Sequence, residues 1–192
     1  MTKLGWFIIG FIALIVAAFV SMTSFGGAAR RAPDAKSVAA PAAAPGQLRV
    51  PVAGVKLNAL VRNWGDARGG GSRAHHGLDI MAPSGTPVLA AASGTVEKLF
   101  ESGLGGTTVY VRSPDRRWTY YYAHLAGYAP ELAEGRKVAA GQTIGYVGDT
   151  GDAGPGNYHL HFGTTRTDPS QRWYQGQDVD PYPMLAAGGA DG

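Results

Sequence analysis

The run Asn157-Tyr158-His159-Leu160-His161-Phe162 constrains this chain more than any other stretch. Two imidazoles two residues apart, among Leu and aromatic neighbours, read as part of a β-strand. On a strand, positions i and i+2 point to the same face. Both rings therefore enter one space, where they can share a metal ion or a water; the plain alternative is a pair of surface or core histidines. The chain has no cysteine, so a metal held here must use imidazole and carboxylate rather than thiolate. With 29 Gly and 12 Pro in 192 residues, the rest of the chain favours turns and short strands over long helices.

Residues 1–3 form a short tail, and Leu4 to Met22 is an uncharged apolar run. It is long enough to cross a bilayer as a helix and shows no polar stripe. It reads as a transmembrane signal-anchor, or as a signal peptide with Gly26-Gly27-Ala28-Ala29 as the cleavage region. Residues 23–47 are rich in Ala and Pro without apolar periodicity, as in an extended linker. From residue 48 to 185 the pattern is that of a β domain, and residues 186–192 read as a flexible tail. Thr107–Arg112 and Trp118–Ala123, joined at Ser113-Pro114-Asp115-Arg116, predict a hairpin with His124 at its end. A faint repeat relates Gly85-Thr86-Pro87-Val88…Gly94-Thr95-Val96 to Gly135-Arg136-Lys137-Val138…Gly145-Tyr146-Val147. Trp118, Tyr120 and Tyr122 fall on one strand face, to line a groove or to pack in the core. Trp173 and Tyr174 follow the His159 strand with the same two options.

Outside the His159–His161 pair, the groups able to ligate or move protons are His75, His76, Asp79 and His124. A spacing of four on an extended strand separates backbones by roughly 13 Å. His75 and Asp79 thus meet at one ion only if the chain bends between them, and Gly77 sits midway. A neutral-nitrogen and carboxylate set with a water in the fourth place is an open, catalytic type of zinc site. No His-Glu-x-x-His helix is present.

The set His75-x-x-x-Asp79, Tyr122-Ala123-His124-Leu125 and His159-Leu160-His161-Phe162 resembles the LytM/lysostaphin-type (M23) zinc metallopeptidases of peptidoglycan. Gly77-Leu78-Asp79-Ile80, Ala82-Pro83-x-Gly85-Thr86-Pro87-Val88 and Gly145-Tyr146-Val147-Gly148 agree with it. The resemblance runs from about residue 49 to 185. It implies a mainly β, antiparallel fold with a duplicated hairpin motif, here preceded by one N-terminal transmembrane helix. It implies one Zn²⁺ bound by His75, Asp79 and His161, with His124 and His159 as the catalytic pair. It implies an endopeptidase acting on peptidoglycan cross-links or stems; the alternative is a regulatory domain of the same fold that activates or scaffolds another murein hydrolase. The chain departs from the family pattern in the longer Asp152–Tyr158 loop, in Tyr158 where Pro is usual, and in Gly163 where Glu is common. His76 has no counterpart role.

Two other readings fail on spacing. A non-haem iron facial triad places His and carboxylate two apart, against four from His75 and three from His76. A lipoyl-type carrier needs a lysine at a hairpin tip, where neither Lys98 nor Lys137 falls. A formal charge of +3 with scattered Lys and Arg suits an anionic polymer but forms no nucleic-acid patch. The expected setting is the inner membrane, single-pass, with the domain facing the periplasm and cell wall, or the periplasm itself after signal cleavage. A regulatory protein partner fits that setting.

Overall fold

The computed structural model describes residues 47–189. The apolar run 4–22, and all but Gln47 of the 23–47 linker, lie outside the described residues. Eleven strands, three single-turn 3-10 helices and one short α-helix make up their regular structure. Among the strands, a small hairpin comes first, β1 (Ala67–Arg68) with β2 (Arg73–Ala74). Its turn carries three consecutive left-handed residues, Gly69, Gly70 and Gly71, with φ of 56°, 67° and 92°. Only glycine adopts such a run without steric cost.

Nine further strands form one wholly antiparallel sheet: β3 (Leu78–Met81), β4 (Pro87–Leu89), β5 (Gly94–Ser102), β6 (Gly106–Arg112), β7 (Trp118–Tyr128), β8 (Lys137–Val138), β9 (Thr143–Val147), β10 (His159–Arg166) and β11 (Gln177–Val179). The mainly β, antiparallel expectation is met. The long path runs β11-β10-β7-β6-β5-β8, with β3 paired to β10 and β9 joining β7 to β4. The repeat seen in the sequence becomes crossed pairing. Unit one supplies β4 and β5, unit two supplies β8 and β9, and β4 pairs with β9 while β5 pairs with β8.

Alternation assigns the faces. On β10, Leu160 and Phe162 are fully buried in the core; on β3, Leu78 and Ile80 are. They pack with Val88, Val96, Val109, Val111, Leu125 and Ile144. The opposite face of β3 and β10 is thereby left to Asp79, His159 and His161. Tyr120 and Tyr122 belong to the core and Trp118 packs against it, so that strand face does not line a groove. The Tyr122 hydroxyl accepts a hydrogen bond from the Ala91 N–H at 2.8 Å, which satisfies both polar groups inside the core. The groove-facing aromatic residue of β7 is Tyr121.

The last element among the described residues is helix α1 (Tyr182–Gly188), which buries Met184 and Leu185. It extends three residues past the boundary read at Leu185. A Cβ at Gly188 would lie within 2.2 Å of the Leu48 carbonyl oxygen, so this end of the helix is tied to the start of the domain. Among the described residues, no helix is long and apolar enough to cross a membrane.

Candidate metal centre

Pairing of β3 with β10 sets Asp79 directly opposite His161. Opposed residues of an antiparallel pair share a face, so the two side chains meet. His75 arrives from the end of the β1–β2 hairpin. Its N–H donates to Asp66 O and its carbonyl accepts from Gly65 N–H, both at 2.8 Å, so its backbone is held on both sides. The chain turns between β2 and β3, as expected, but bending is not why glycine stands at residue 77. Gly77 has no positive φ; a Cβ there would lie 2.6 Å from His161 Nε2 and 2.8 Å from Phe162 O. The space is taken by the His161 ring.

Three donor atoms converge. His75 Nε2 is 3.0 Å from Asp79 Oδ1 and 3.0 Å from His161 Nδ1, which is 3.1 Å from the same Oδ1. Among the described residues, His75, Asp79 and His161 are a group whose ligand atoms, all within 4.8 Å of one another, could hold a metal ion. A tetrahedral Zn²⁺ bonded at about 2.0–2.1 Å sets its ligands about 3.3 Å apart, close to this triangle. The donor set therefore fits a zinc ion. His75 Nδ1 lies 2.7 Å from Asn63 O and 3.1 Å from the Arg68 guanidinium, so it sits between an acceptor and a donor.

The electrostatics keep the ligands in their binding forms. Burial alone would raise the Asp79 carboxyl, but hydrogen bonds and charge from His161 and His75 hold it well below the usual carboxylate range. Burial pushes His161 down from the ordinary histidine value, with the hydrogen bond and charge of Asp79 opposing it. Arg68 donates to Asp79 Oδ2 at 2.5 Å, and Asn63 adds Nδ2 to Oδ2 at 3.4 Å and accepts the Asp79 N–H at 3.3 Å. The outer oxygen is thus occupied and Oδ1 is left for the centre. Neither Arg68 nor Asn63 was identified from the sequence, where nothing in their spacing marks them.

His124 does not sit at the end of its strand but within β7, at a bulge. Between the pairs Val109–Tyr122 and Thr107–Leu125, β6 advances two residues and β7 three. His124 takes φ of 61°, rare for a non-glycine residue. Strict alternation from the core residue Tyr122 would send His124 into the core as well. The extra residue turns it out instead, and its ring centroid lies 4.9 Å from that of His159 and 5.9 Å from that of His161. His124 Nδ1 donates to Thr150 O and His159 Nδ1 to Asn157 O, each at 2.8 Å. Both rings therefore carry the proton on Nδ1, with the Nε2 lone pair free. His159 Nε2 lies 3.7 Å from Asp79 Oδ1, at the edge of the donor triangle. Burial lowers the His124 pKa from its usual value, so that ring is neutral at pH 7.

All five residues line one open groove of about 800 Å³, together with Arg68, Arg73, Leu104, Tyr121 and Asp152. His76 stands at its margin, with Nδ1 2.9 Å from Asp178 Oδ2 on β11 and its ring stacked on Trp64. It takes no part in the donor triangle. Trp173 packs on Tyr110 and Phe100, away from the centre. The Asp152–Tyr158 loop forms one groove wall. It is held through Asp152 N–H to Leu104 O at 2.9 Å and through close contact of Gly151 with Gly106.

A family model described as Peptidase family M23 matches residues 73–181. The L-Ala–D-Glu endopeptidase of Bacillus subtilis is 39% identical over 130 residues, which is 65% of this chain and 38% of that protein. The peptidoglycan DD-endopeptidase ShyC of Vibrio cholerae is 41% identical over 91 residues, 47% of this chain and 20% of that one. Among solved structures, lysostaphin from Staphylococcus simulans superposes with a TM-score of 0.58 at 28% identity, covering 69% of this chain and 52% of that one. The chain thus spans well under half the length of these two curated relatives.

Proposed function

The chain belongs to peptidase family M23, and from that premise we propose that it is a zinc-dependent endopeptidase that hydrolyses peptide bonds of peptidoglycan. The observation that carries the reading is the meeting of His75 Nε2, Asp79 Oδ1 and His161 Nδ1, with the Nε2 atoms of His124 and His159 beside them in one groove. The endopeptidase names of the relatives support the reaction class.

His75, Asp79 and His161 would hold the ion. When bound, zinc supplies Lewis acidity that polarises a peptide carbonyl and makes a water acidic near neutral pH. The chain's own residues supply the proton traffic. His124 and His159 each present an Nε2 lone pair to the groove, with the opposite nitrogen fixed to a backbone carbonyl. A neutral imidazole so oriented accepts the proton of the attacking water and, once charged, returns it to the leaving amine. Charge arising on one ring is felt by the other at 4.9 Å, which disfavours both being protonated together. Arg68 and Asn63 hold Asp79 in place.

The apolar run at residues 4–22 is proposed as the anchor that keeps this domain at the membrane facing the cell wall. The deciding experiment digests purified peptidoglycan of known chemistry with the full chain, with and without zinc, and identifies products by mass. New amino termini within stem or cross-link peptides that require zinc support the reading. Zinc binding without any cleavage would favour the regulatory-domain alternative.

A further inference from the structure

One ion pair crosses the groove. Arg73, on β2, donates from its guanidinium to Asp152 Oδ2 at 3.0 Å, and Asp152 belongs to the opposite wall. Seventy-nine residues separate the two. Each is placed by its own wall: Asp152 through its N–H bond to Leu104 O, Arg73 through a side chain lying over Gly69, where a Cβ would be 3.5 Å from Nε. The other oxygen of Asp152 lies 4.0 Å from His124 Nε2. The arginine fork thus stands one carboxylate away from the proton-handling nitrogen.

The groove has two arginines, and their commitments differ. Arg68 is bound to Asp79, which the metal triangle needs. Arg73 has Asp152 as its hydrogen-bonded partner among the described residues, and the two side chains are 46% and 41% exposed. An ion pair so open to water adds little stability and exchanges readily. A guanidinium, in turn, matches a carboxylate with two parallel N–H bonds.

We propose that Arg73 reads a substrate carboxylate beside the scissile bond, and that Asp152 occupies that position until substrate arrives. The incoming carboxylate takes the fork, and Asp152 turns to solvent. This rests on the endopeptidase reading above and narrows it. The preferred peptides carry a free carboxylate on a residue flanking the scissile bond, over those with a carboxamide there or with neutral glycine bridges.

The test uses the full chain with zinc and two soluble cross-linked muropeptide dimers that differ in one group, carboxylate or carboxamide, at that residue. The expected KM for the carboxylate dimer is about tenfold the lower, the effect of one charge-assisted hydrogen-bonded pair. Arg73→Gln brings the KM ratio towards one, Arg73→Lys keeps part of it, and Asp152→Asn widens it. Added salt narrows it. Titration calorimetry of the two dimers into the His159→Ala protein gives the same ratio as a Kd without turnover. A wall brace with no reading role would change both substrates equally. Equal KM values in the unmodified chain, or a ratio kept in Arg73→Gln, would overturn the proposal while leaving the endopeptidase reading intact. Cleavage of neither dimer, in a preparation that binds zinc, would overturn both.

Discussion

Replacing Gly77 by Ala should damage the metal centre without touching a ligand. The added methyl would stand 2.6 Å from His161 Nε2, 2.7 Å from Cε1 and 2.8 Å from Phe162 O. Favourable carbon contacts lie at about 3.5–4.0 Å, so the overlap is close to 1 Å on two ring atoms and a strand carbonyl. The carbonyl belongs to β10, where Phe162 pairs with both Leu78 and Tyr122, and it cannot retreat alone. The ring must move, and its Nδ1 is one corner of a triangle with edges of 3.0–3.1 Å. Overpacking of this kind costs about 1–3 kcal/mol of stability. Disturbing the support of a ligand lowers metal affinity about 10–100-fold. The sign is diagnostic, because Gly→Ala at an unstrained position usually stabilises by about 0.4–1 kcal/mol. Gly127→Ala is the control: no atom lies within 4 Å of a Cβ there, and its φ is not positive. Zinc affinity by chelator competition and stability by urea unfolding measure both effects. Wild-type affinity in Gly77→Ala, within threefold, would refute the claim that the missing Cβ at Gly77 lets the His161 ring keep Nδ1 in the donor triangle.

Three further outcomes follow from the geometry. His161→Ala should bind no zinc at stoichiometric concentration and cleave nothing, whereas His159→Ala should keep its zinc while turnover falls about 10²–10⁴-fold; metal analysis of purified variants decides it, and retained zinc and activity in His161→Ala would remove it from the ligand set. Burial, with a smaller contribution from the charge of Asp115, pushes the Tyr120 phenol up to about 12. The folded state therefore keeps a proton that the unfolded chain releases near pH 10; the stability is whole below pH 10 and lost as pH rises to 12, about 3 kcal/mol for this residue. Urea midpoints from pH 9 to 12 should fall less steeply in Tyr120→Phe, and an identical slope would contradict the assignment. Arg112 is almost fully buried and donates to Glu97 at 2.5 Å, Thr167 Oγ1 at 2.6 Å and Gln171 O at 3.0 Å. Arg112→Ala leaves the Glu97 charge without this partner and should cost about 3–5 kcal/mol in urea unfolding; a loss below about 1 kcal/mol would show that the network contributes little.

The sequence by itself determined much of the framework. The His159-x-His161 spacing places both rings on one face because strand periodicity is two, and β10 is uninterrupted over those residues. The β6–β7 hairpin follows from turn chemistry at Ser113–Arg116, and the repeat foreshadowed the crossed pairing of β4 with β9 and β5 with β8. With the family resemblance, the sequence also nominated His75, Asp79 and His161, whose donor atoms the fold brings within reach of one ion.

What only the tertiary structure decided depends on contacts with no local signature. Periodicity fails at a bulge, so reading β7 by alternation could not aim His124 into the groove, although it does explain why Tyr120 and Tyr122 face inward. Which nitrogen is free in the two groove imidazoles depends on a carbonyl two residues away for His159 and twenty-six for His124. The chain bends at Gly77 as the spacing required, but that Gly77 also seats the His161 ring was not legible, because a strand 84 residues later in the chain packs against it. Arg68, Asn63 and the Arg73–Asp152 pair act through approach in space, and spacing along the chain carries no record of that.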